Sequence, residues 1–316
     1  MIFMSNITEM YNRVGAINRA ALEDPAGFIR LCEESYHSSI YDIANHIPAE
    51  TGRTVVMLAG PSSSGKTTSS HILREALAAR GVRSHTVSLD DFYFGVSRTP
   101  ADENGKKDFE SVHALDLEEL HRCFACIAET GESIFPLFDF HTGERKPQGR
   151  RIRTESGDVM IVEGLHALNP LLLSAVPADR LVKLYVNVGN RVYDDEGRIL
   201  LTRRDIRLIR RISRDRIYRN SGIDNTLRMW PDVRHGEKNY LFPHSGAADY
   251  TINSFHPYEP CVFKNDVLTM IAELDPQHPQ YDFALQAAYG LDRFVSLSHT
   301  LVPKTSLMRE FIEAAE

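Results

Sequence analysis

The stretch that most constrains this chain is Thr54-Val-Val-Met-Leu-Ala-Gly60-Pro-Ser-Ser-Ser-Gly65-Lys66-Thr67-Thr68. An apolar, partly β-branched run stops at Gly60, a glycine- and serine-rich turn follows, and residues 69–77 read as a helix. Strand, G-x-x-x-x-G-K-T turn and helix stand in the order that a phosphate-binding loop requires. Triphosphate oxygens need donors, and a glycine-permitted turn leading into a helix aims successive backbone N–H groups at one point. The helix start adds about half a positive charge. On this reading Gly60, Ser62, Ser63, Ser64, Gly65, Lys66, Thr67 and Thr68 surround a nucleoside triphosphate. Lys66 reaches its β- and γ-phosphates and the Thr67 hydroxyl sits on Mg²⁺. A serine-rich surface turn matching by chance would lack both the buried-type strand before it and the helical period after it.

At 316 residues the chain has room for one large domain or two ordinary ones. A hydrophobic content of 42% and a charged content of 25% fit a soluble globular protein. No stretch approaches the ~20 apolar residues of a membrane span. Met1-Ile-Phe-Met-Ser-Asn has no basic region followed by an apolar core, so no signal peptide is expected. Four cysteines make no disulfide framework, and Cys123 and Cys126, beside His121, fall in a helical segment with no second pair downstream. They read as reduced core cysteines rather than a zinc site, which fits a cytoplasmic protein. A net charge of −7 argues against nonspecific nucleic-acid binding as the main task.

Before Thr54, the residues Ile29, Cys32, Tyr36, Ile40, Ile43 and Ile47 recur at three or four and give a helical segment one apolar face. That face must cover the core beside it or a neighbouring domain. Further strands are expected at 84–89, 159–162 and 181–188, with a short fifth at 250–252. An amphipathic helix is expected at 116–129, closed near Gly131, and polar residues dominate 140–157. After His256 the chain reads as helical again, with 283–295 the clearest case. Strands alternating with helices imply a parallel sheet covered on both faces, with ligands gathering at the strands' carboxyl ends. Gly60, Asp90 and Glu163 all fall at such ends.

Phosphoryl transfer needs positioned phosphates and Mg²⁺, a group to receive the acceptor's proton, and cations for the transition-state charge. Asp90 is the candidate base, with Asp91 competing for the role, and Glu163 stands where an acid follows its apolar strand to hold a Mg²⁺-bound water. The cations come from Arg203-Arg-Asp-Ile-Arg207-Leu-Ile-Arg210-Arg211-Ile-Ser-Arg214-Asp215, in which Arg207, Arg210 or Arg211, and Arg214 share one helical face. In an acidic chain such a face suggests a polyanion opposite; a solvated basic face or an RNA-binding strip is the blander reading.

These residues together resemble the uridine kinase/phosphoribulokinase family of P-loop kinases, and within it the uridine–cytidine kinases. Asp90-Asp-Phe92-Tyr93 is similar to the family's D-x-F-Y, whose first Asp is its catalytic base. Asp108-Phe109-Glu110 stands where these kinases carry N-F-D, so Glu110 inherits a role in binding the nucleoside sugar. Phe138-Asp139-Phe140 with Arg145 is similar to the family's Y-D-F and its downstream Arg. Glu163-Gly164, the arginine helix from Asp205 to Asp215, and Ala248-Asp249 match as well. The chain departs at Phe138, which replaces a tyrosine. It departs again at Gly143, where a histidine contacts the pyrimidine; His141 is near but displaced. Residues 187–201 form a longer link into the lid. The resemblance implies a three-layer α/β/α fold with a mostly parallel five-stranded sheet and an Arg-rich helical lid at about 197–245. It implies a kinase domain over 51–255, between a linker-like N-terminal segment, 1–50, and a C-terminal helical extension, 256–316. That N-terminal segment is similar to the linker after an extra domain in longer bacterial relatives, so a shortened version is one reading.

The expected activity is transfer of the γ-phosphoryl of ATP, with Mg²⁺, to the 5′-hydroxyl of uridine or cytidine. Asp90, Lys66, Arg207, Arg210 and Arg214 are then catalytic, Glu110, Phe138, Phe140, His141 and Arg145 bind the acceptor, and Thr67 and Glu163 serve the metal. No nucleic-acid or membrane partner is expected, and self-association is left open. Two other readings stand beside it: a kinase of the same fold for another alcohol, such as a sugar phosphate or pantothenate-like molecule, and a nucleotide-dependent RNA-binding module.

Overall fold

A computed structural model describes residues 7–49, 52–95, 98–101, 105, 107–139 and 142–313. Five strands, β1 (Thr54–Ala59), β2 (Ser84–Ser88), β3 (Val159–Glu163), β4 (Leu181–Asn187) and β5 (Tyr250–Asn253), form one sheet in the order β5-β4-β1-β3-β2. Every pairing in it is parallel. β1 is buried along its whole length, as a central strand covered on both faces must be. Its alternate side chains divide between two cores: Val56 and Leu58 join Val159 and Ile161 on one face. Val55 and Met57 join Met160 and Val162 on the other. The register sets Glu163 opposite both Leu58 and Ser88, so the loops after β1, β2 and β3 emerge side by side.

The helices layer these faces. α1 (Pro25–Asn45) opens on Asp24, which accepts from the Gly27 amide at 2.9 Å. Its apolar face is buried as the spacing predicts, and it covers α2 (Lys66–Ala79), where the Tyr36 and Ser69 hydroxyls lie 2.7 Å apart. α3 (Leu117–Thr130) runs from an Asp116 cap to Gly131 at φ +77°, close to its expected bounds. Cys123 is buried in the core beneath it. Then come α4 (Arg203–Arg219), α5 (Ile223–Gly236), α6 (Glu259–Ala272) and α7 (Tyr281–Asp292). Past α7 the chain runs irregularly and returns to the first core through Leu307, Met308, Phe311 and Ile312. Among the described residues no helix is long and apolar enough to cross a membrane.

Several local expectations are corrected. α2 begins at Lys66, three residues early, because Gly65 at φ +86° is its N-cap. Asp90 is not the end of β2 but the second residue of a 3₁₀ turn, Leu89–Phe92, capped by the Ser88 hydroxyl. The polar stretch 140–157 carries strands Glu144–Arg145 and Arg150–Arg153, which pair antiparallel with Phe138–Asp139 and Glu132–Phe135. The link before α4 holds a further pair, Val192–Tyr193 and Ile199–Leu201. Strands of two to four residues give a period-two pattern too few positions to register.

Along α4, Arg207, Arg210 and Arg211 are buried together with Ile206, Leu208, Ile209 and Ile212, so the helix does not present the solvated basic face of the blander reading.

Candidate active site

The phosphate loop is held in shape by steric necessity. A Cβ at Gly60 would lie 2.7 Å from Ser64 Oγ and strike the Val186 carbonyl, and Ser63 takes φ +59°. The buried hydroxyls of Ser63 and Ser64 have no hydrogen-bond partner among the described residues. Lys66 Nζ donates to the Pro61 carbonyl at 3.3 Å. Thr67 Oγ1 donates to the Glu163 carboxylate, 3.3 Å from each oxygen, which joins the two expected metal-site residues, one in the first turn of α2 and the other at the end of β3.

Asp90 faces this loop. Its side chain is exposed at the mouth of a cleft; the protein atoms crowding its carboxyl still raise it above the usual carboxylate range, Lys66 opposes that and Asp91 reinforces it. Asp91 points elsewhere, accepting from the Phe138 amide at 3.1 Å. Glu110 lies in the same cleft, its carboxyl pushed up to about 7 by burial first and then by Glu237, with Arg211 acting the other way. Burial raises Glu163 too, against the pull of Lys66. Lys66 thus acts on all three carboxyls, with Arg219 adding to its pull on Asp90 and Arg211 to its pull on Glu110.

The arginines divide. Arg207 Nε donates to the Ser62 carbonyl at 2.9 Å and its guanidinium pairs with Glu237. Arg210, 0% exposed, is held by Glu259 at 2.6 and 2.9 Å and by the Ser254 carbonyl, and reaches the Ser63 carbonyl at 3.3 Å. Arg211 donates to Ser62 Oγ at 3.0 Å, and Arg214 turns back on Asp215 at 2.7 Å. Arg219, which the lid motif did not single out, is the arginine whose charge acts on Asp90.

On the acceptor side, Phe138 is half-buried with its ring 6.0 Å from that of Tyr93. Arg145 donates to the Phe92 and Tyr93 carbonyls and pairs with Asp116 at 3.0 Å, so it braces the turn that carries Asp90. Phe140 and His141 lie outside the described residues. Gly143 takes φ +69° in the tight turn between two short strands, a conformation that favours glycine.

A model of the Phosphoribulokinase / Uridine kinase family matches residues 55–258, well over half of the chain. The chain belongs to that family. A uridine/cytidine kinase of Arabidopsis thaliana is 26% identical over 236 residues, 74% of this chain and 44% of the plant protein. Uridine kinase of Saccharomyces cerevisiae is 27% identical over 222 residues, 67% of this chain and 39% of its own length. This chain thus matches less than half the length of these two relatives. Uridine kinase of Chloroflexus aurantiacus, 28% identical, is matched over 84% of its length and 62% of this chain. Among solved structures, phosphoribulokinase from Rhodobacter spheroides aligns with a TM-score of 0.39 at 19% identity, covering 65% of this chain and 74% of that one.

Family motifs do not reveal everything in the cleft. Glu237, wholly buried in a π-helical turn after α5, accepts from the Ser62 amide at 3.0 Å and pairs with Arg207 and with Arg234 at 2.5 Å. Directly before it, Gly236 packs so closely that a Cβ would lie 2.7 Å from Glu110 Cγ. Tyr240 donates to Asp108 at 2.7 Å and meets the edge of His166, their ring centroids 5.9 Å apart. His166 is 2% exposed, neither of its ring nitrogens has a partner among the described residues, and burial pushes it down to about 4, so it is a neutral imidazole. The sequence signal for His166 was its place three residues after Glu163, at a strand's carboxyl end. Glu237 had none.

Proposed function

We propose that this chain is an ATP-dependent kinase of a small alcohol, and that its acceptor is the 5′-hydroxyl of uridine or cytidine. The observation that carries the reading is that Asp90, Glu110 and Lys66 stand close enough at the mouth of the phosphate loop to act on one another's charge. The uridine and cytidine kinase relatives support the choice of acceptor.

Loop amides hold the triphosphate, that of Ser62 excepted because Glu237 already takes it, and Lys66 turns from Pro61 to the β- and γ-phosphates. Asp90 receives the proton of the acceptor hydroxyl as its oxygen closes on the γ-phosphorus; a carboxyl held above the usual range is a stronger base than an ordinary one. Glu110 accepts from the acceptor's vicinal hydroxyls. Arg211 and Arg219 supply charge over the transferring group, while Arg207 and Arg210 fix the loop's backbone from behind. Thr67 and Glu163 fit Mg²⁺, since a hydroxyl and a carboxylate 3.3 Å apart are hard oxygen donors of the kind that ion takes beside phosphates. Bound there, it would neutralise phosphate charge. α5 and the turn after it, packed on Glu110 and bonded to Asp108, keep water from competing as acceptor.

The nearest rival is a kinase of the same fold for a different alcohol. Gly143 favours it, because its left-handed turn offers no side chain to a pyrimidine. ADP release measured across nucleosides, sugar phosphates and pantothenate decides: turnover confined to non-nucleosides rejects uridine and cytidine. The RNA-binding reading loses its footing because Arg207, Arg210 and Arg211 are buried against protein partners.

A further inference from the structure

The family match ends at residue 258, yet the segment that follows α7 returns to the phosphate loop. Leu307 packs so tightly on Gly65 that any Cβ there would collide with it. Glu310 then places one carboxylate oxygen 2.8 Å from the Thr68 amide, and the same oxygen accepts from the Thr68 hydroxyl. Thr68 lies in the first turn of α2, where the loop's run of donors ends and the helix dipole still favours an anion. The segment is fixed from several sides. Ser213 Oγ donates to the Phe311 carbonyl at 2.6 Å, Tyr218 donates to the Ile312 carbonyl at 2.9 Å, and Leu307, Met308 and Phe311 are wholly buried. Glu310 itself is only half-buried, so its side chain has room to turn on a backbone that has none.

Resting on the reading of the loop as a triphosphate site, we propose that Glu310 belongs to the phosphoryl-donor site as a built-in competitor. Its carboxylate holds the Thr68 donors that a nucleotide phosphate takes, and the nucleotide must turn it aside to bind. A negative charge held against a phosphate in a low-dielectric cleft weakens binding, so Glu310 sets donor affinity and keeps the empty loop from taking small anions indiscriminately.

The test titrates the full chain and its Glu310→Gln and Glu310→Ala variants with ATP in Mg²⁺ buffer, by calorimetry and by the fluorescence of Trp230, which sits beside Arg207 and Arg211. Both variants are expected to bind ATP more tightly, about three- to tenfold, from the loss of one apposed charge. Equal or weaker binding by variants that melt at the temperature of the unaltered chain overturns the proposal. A structure of the unaltered chain with ADP gives an answer that does not depend on how the variants fold. Glu310 turned away from Thr68 supports the competition, and Glu310 still bonded to the Thr68 amide beside bound nucleotide refutes it. ATP binding to none of the three forms would overturn the triphosphate reading itself, and this proposal with it.

Discussion

The arginine helix and the acidic side of the cleft hold the same kinds of charge in opposite states. Along α4, Arg207, Arg210 and Arg211 are enclosed and matched with Glu237, Glu259 and Asp215, and two of them grip loop carbonyls. Across the cleft Asp90, Glu110 and Glu163 share Lys66, and burial raises all three. Matched charges contribute rigidity. Under-matched ones pay a dehydration penalty that only a substrate, a proton or a metal relieves. The helix holds the loop still, while the acids keep charge that the fold does not match.

The sharpest break of that contrast is Asp90→Asn. If Asp90 takes the acceptor's proton, kcat falls by about 10²–10⁴, the range of general-base catalysis, while ATP binding by calorimetry is kept. Retained turnover would return the acids to a structural role.

Arg210→Ala and Arg219→Ala, compared side by side, test the other half. Removing Arg210 strands Glu259 in the core and should cost about 3–5 kcal/mol in urea unfolding. Arg219 is exposed beside Asp215 and acts on Asp90, so its loss should spare stability and lower kcat. Equal effects on stability would erase the distinction drawn along α4.

That distinction was beyond the sequence. Spacing placed the arginines on one helix and identified the loop, the parallel sheet and the strand-end acids, because these follow from local periodicity and from motifs with fixed geometry. Spacing does not say which arginine meets an acid. Arg210 finds Glu259 and Arg207 finds Glu237 through tertiary packing, 49 and 30 residues away. Glu310 reaches Thr68 over 242 residues. Asp90 was legible as a residue but not as part of a 3₁₀ turn, since the turn rests on Ser88 capping it and on Arg145 bracing it from a hairpin too short to read.

Protonation offers a subtler probe of the acidic side. Glu110 sits near 7 in the folded chain, against an ordinary value of 4.5. Its ionised form accepts from hydroxyls, so kcat/KM for the acceptor should climb as pH rises toward about 7 and level off above it. Stability runs the other way: the folded state holds the proton more tightly, so stability is greatest below pH 4.5 and is lost as pH rises through 7. Glu110→Gln should remove both trends and raise the acceptor KM by about tenfold, the worth of one charge-assisted hydrogen bond. A rising limb that survives in Glu110→Gln belongs to Asp90.

The smallest effect concerns how the acceptor wall is kept in place. Tyr240 donates to Asp108, whose other oxygen accepts from the Glu110 amide at 3.1 Å, so one hydroxyl ties the π-helical turn after α5 to the segment that carries Glu110. Tyr240→Phe leaves the ring against His166 and deletes only that bond, which should cost about 0.5–1.5 kcal/mol. If the bond holds the lid over Glu110, the loss should fall on the acceptor KM, with the KM for ATP unmoved. A loss seen only in unfolding, with both KM values intact, would make the tie ordinary packing. It would also leave Gly236 as the contact that sets where Glu110 stands.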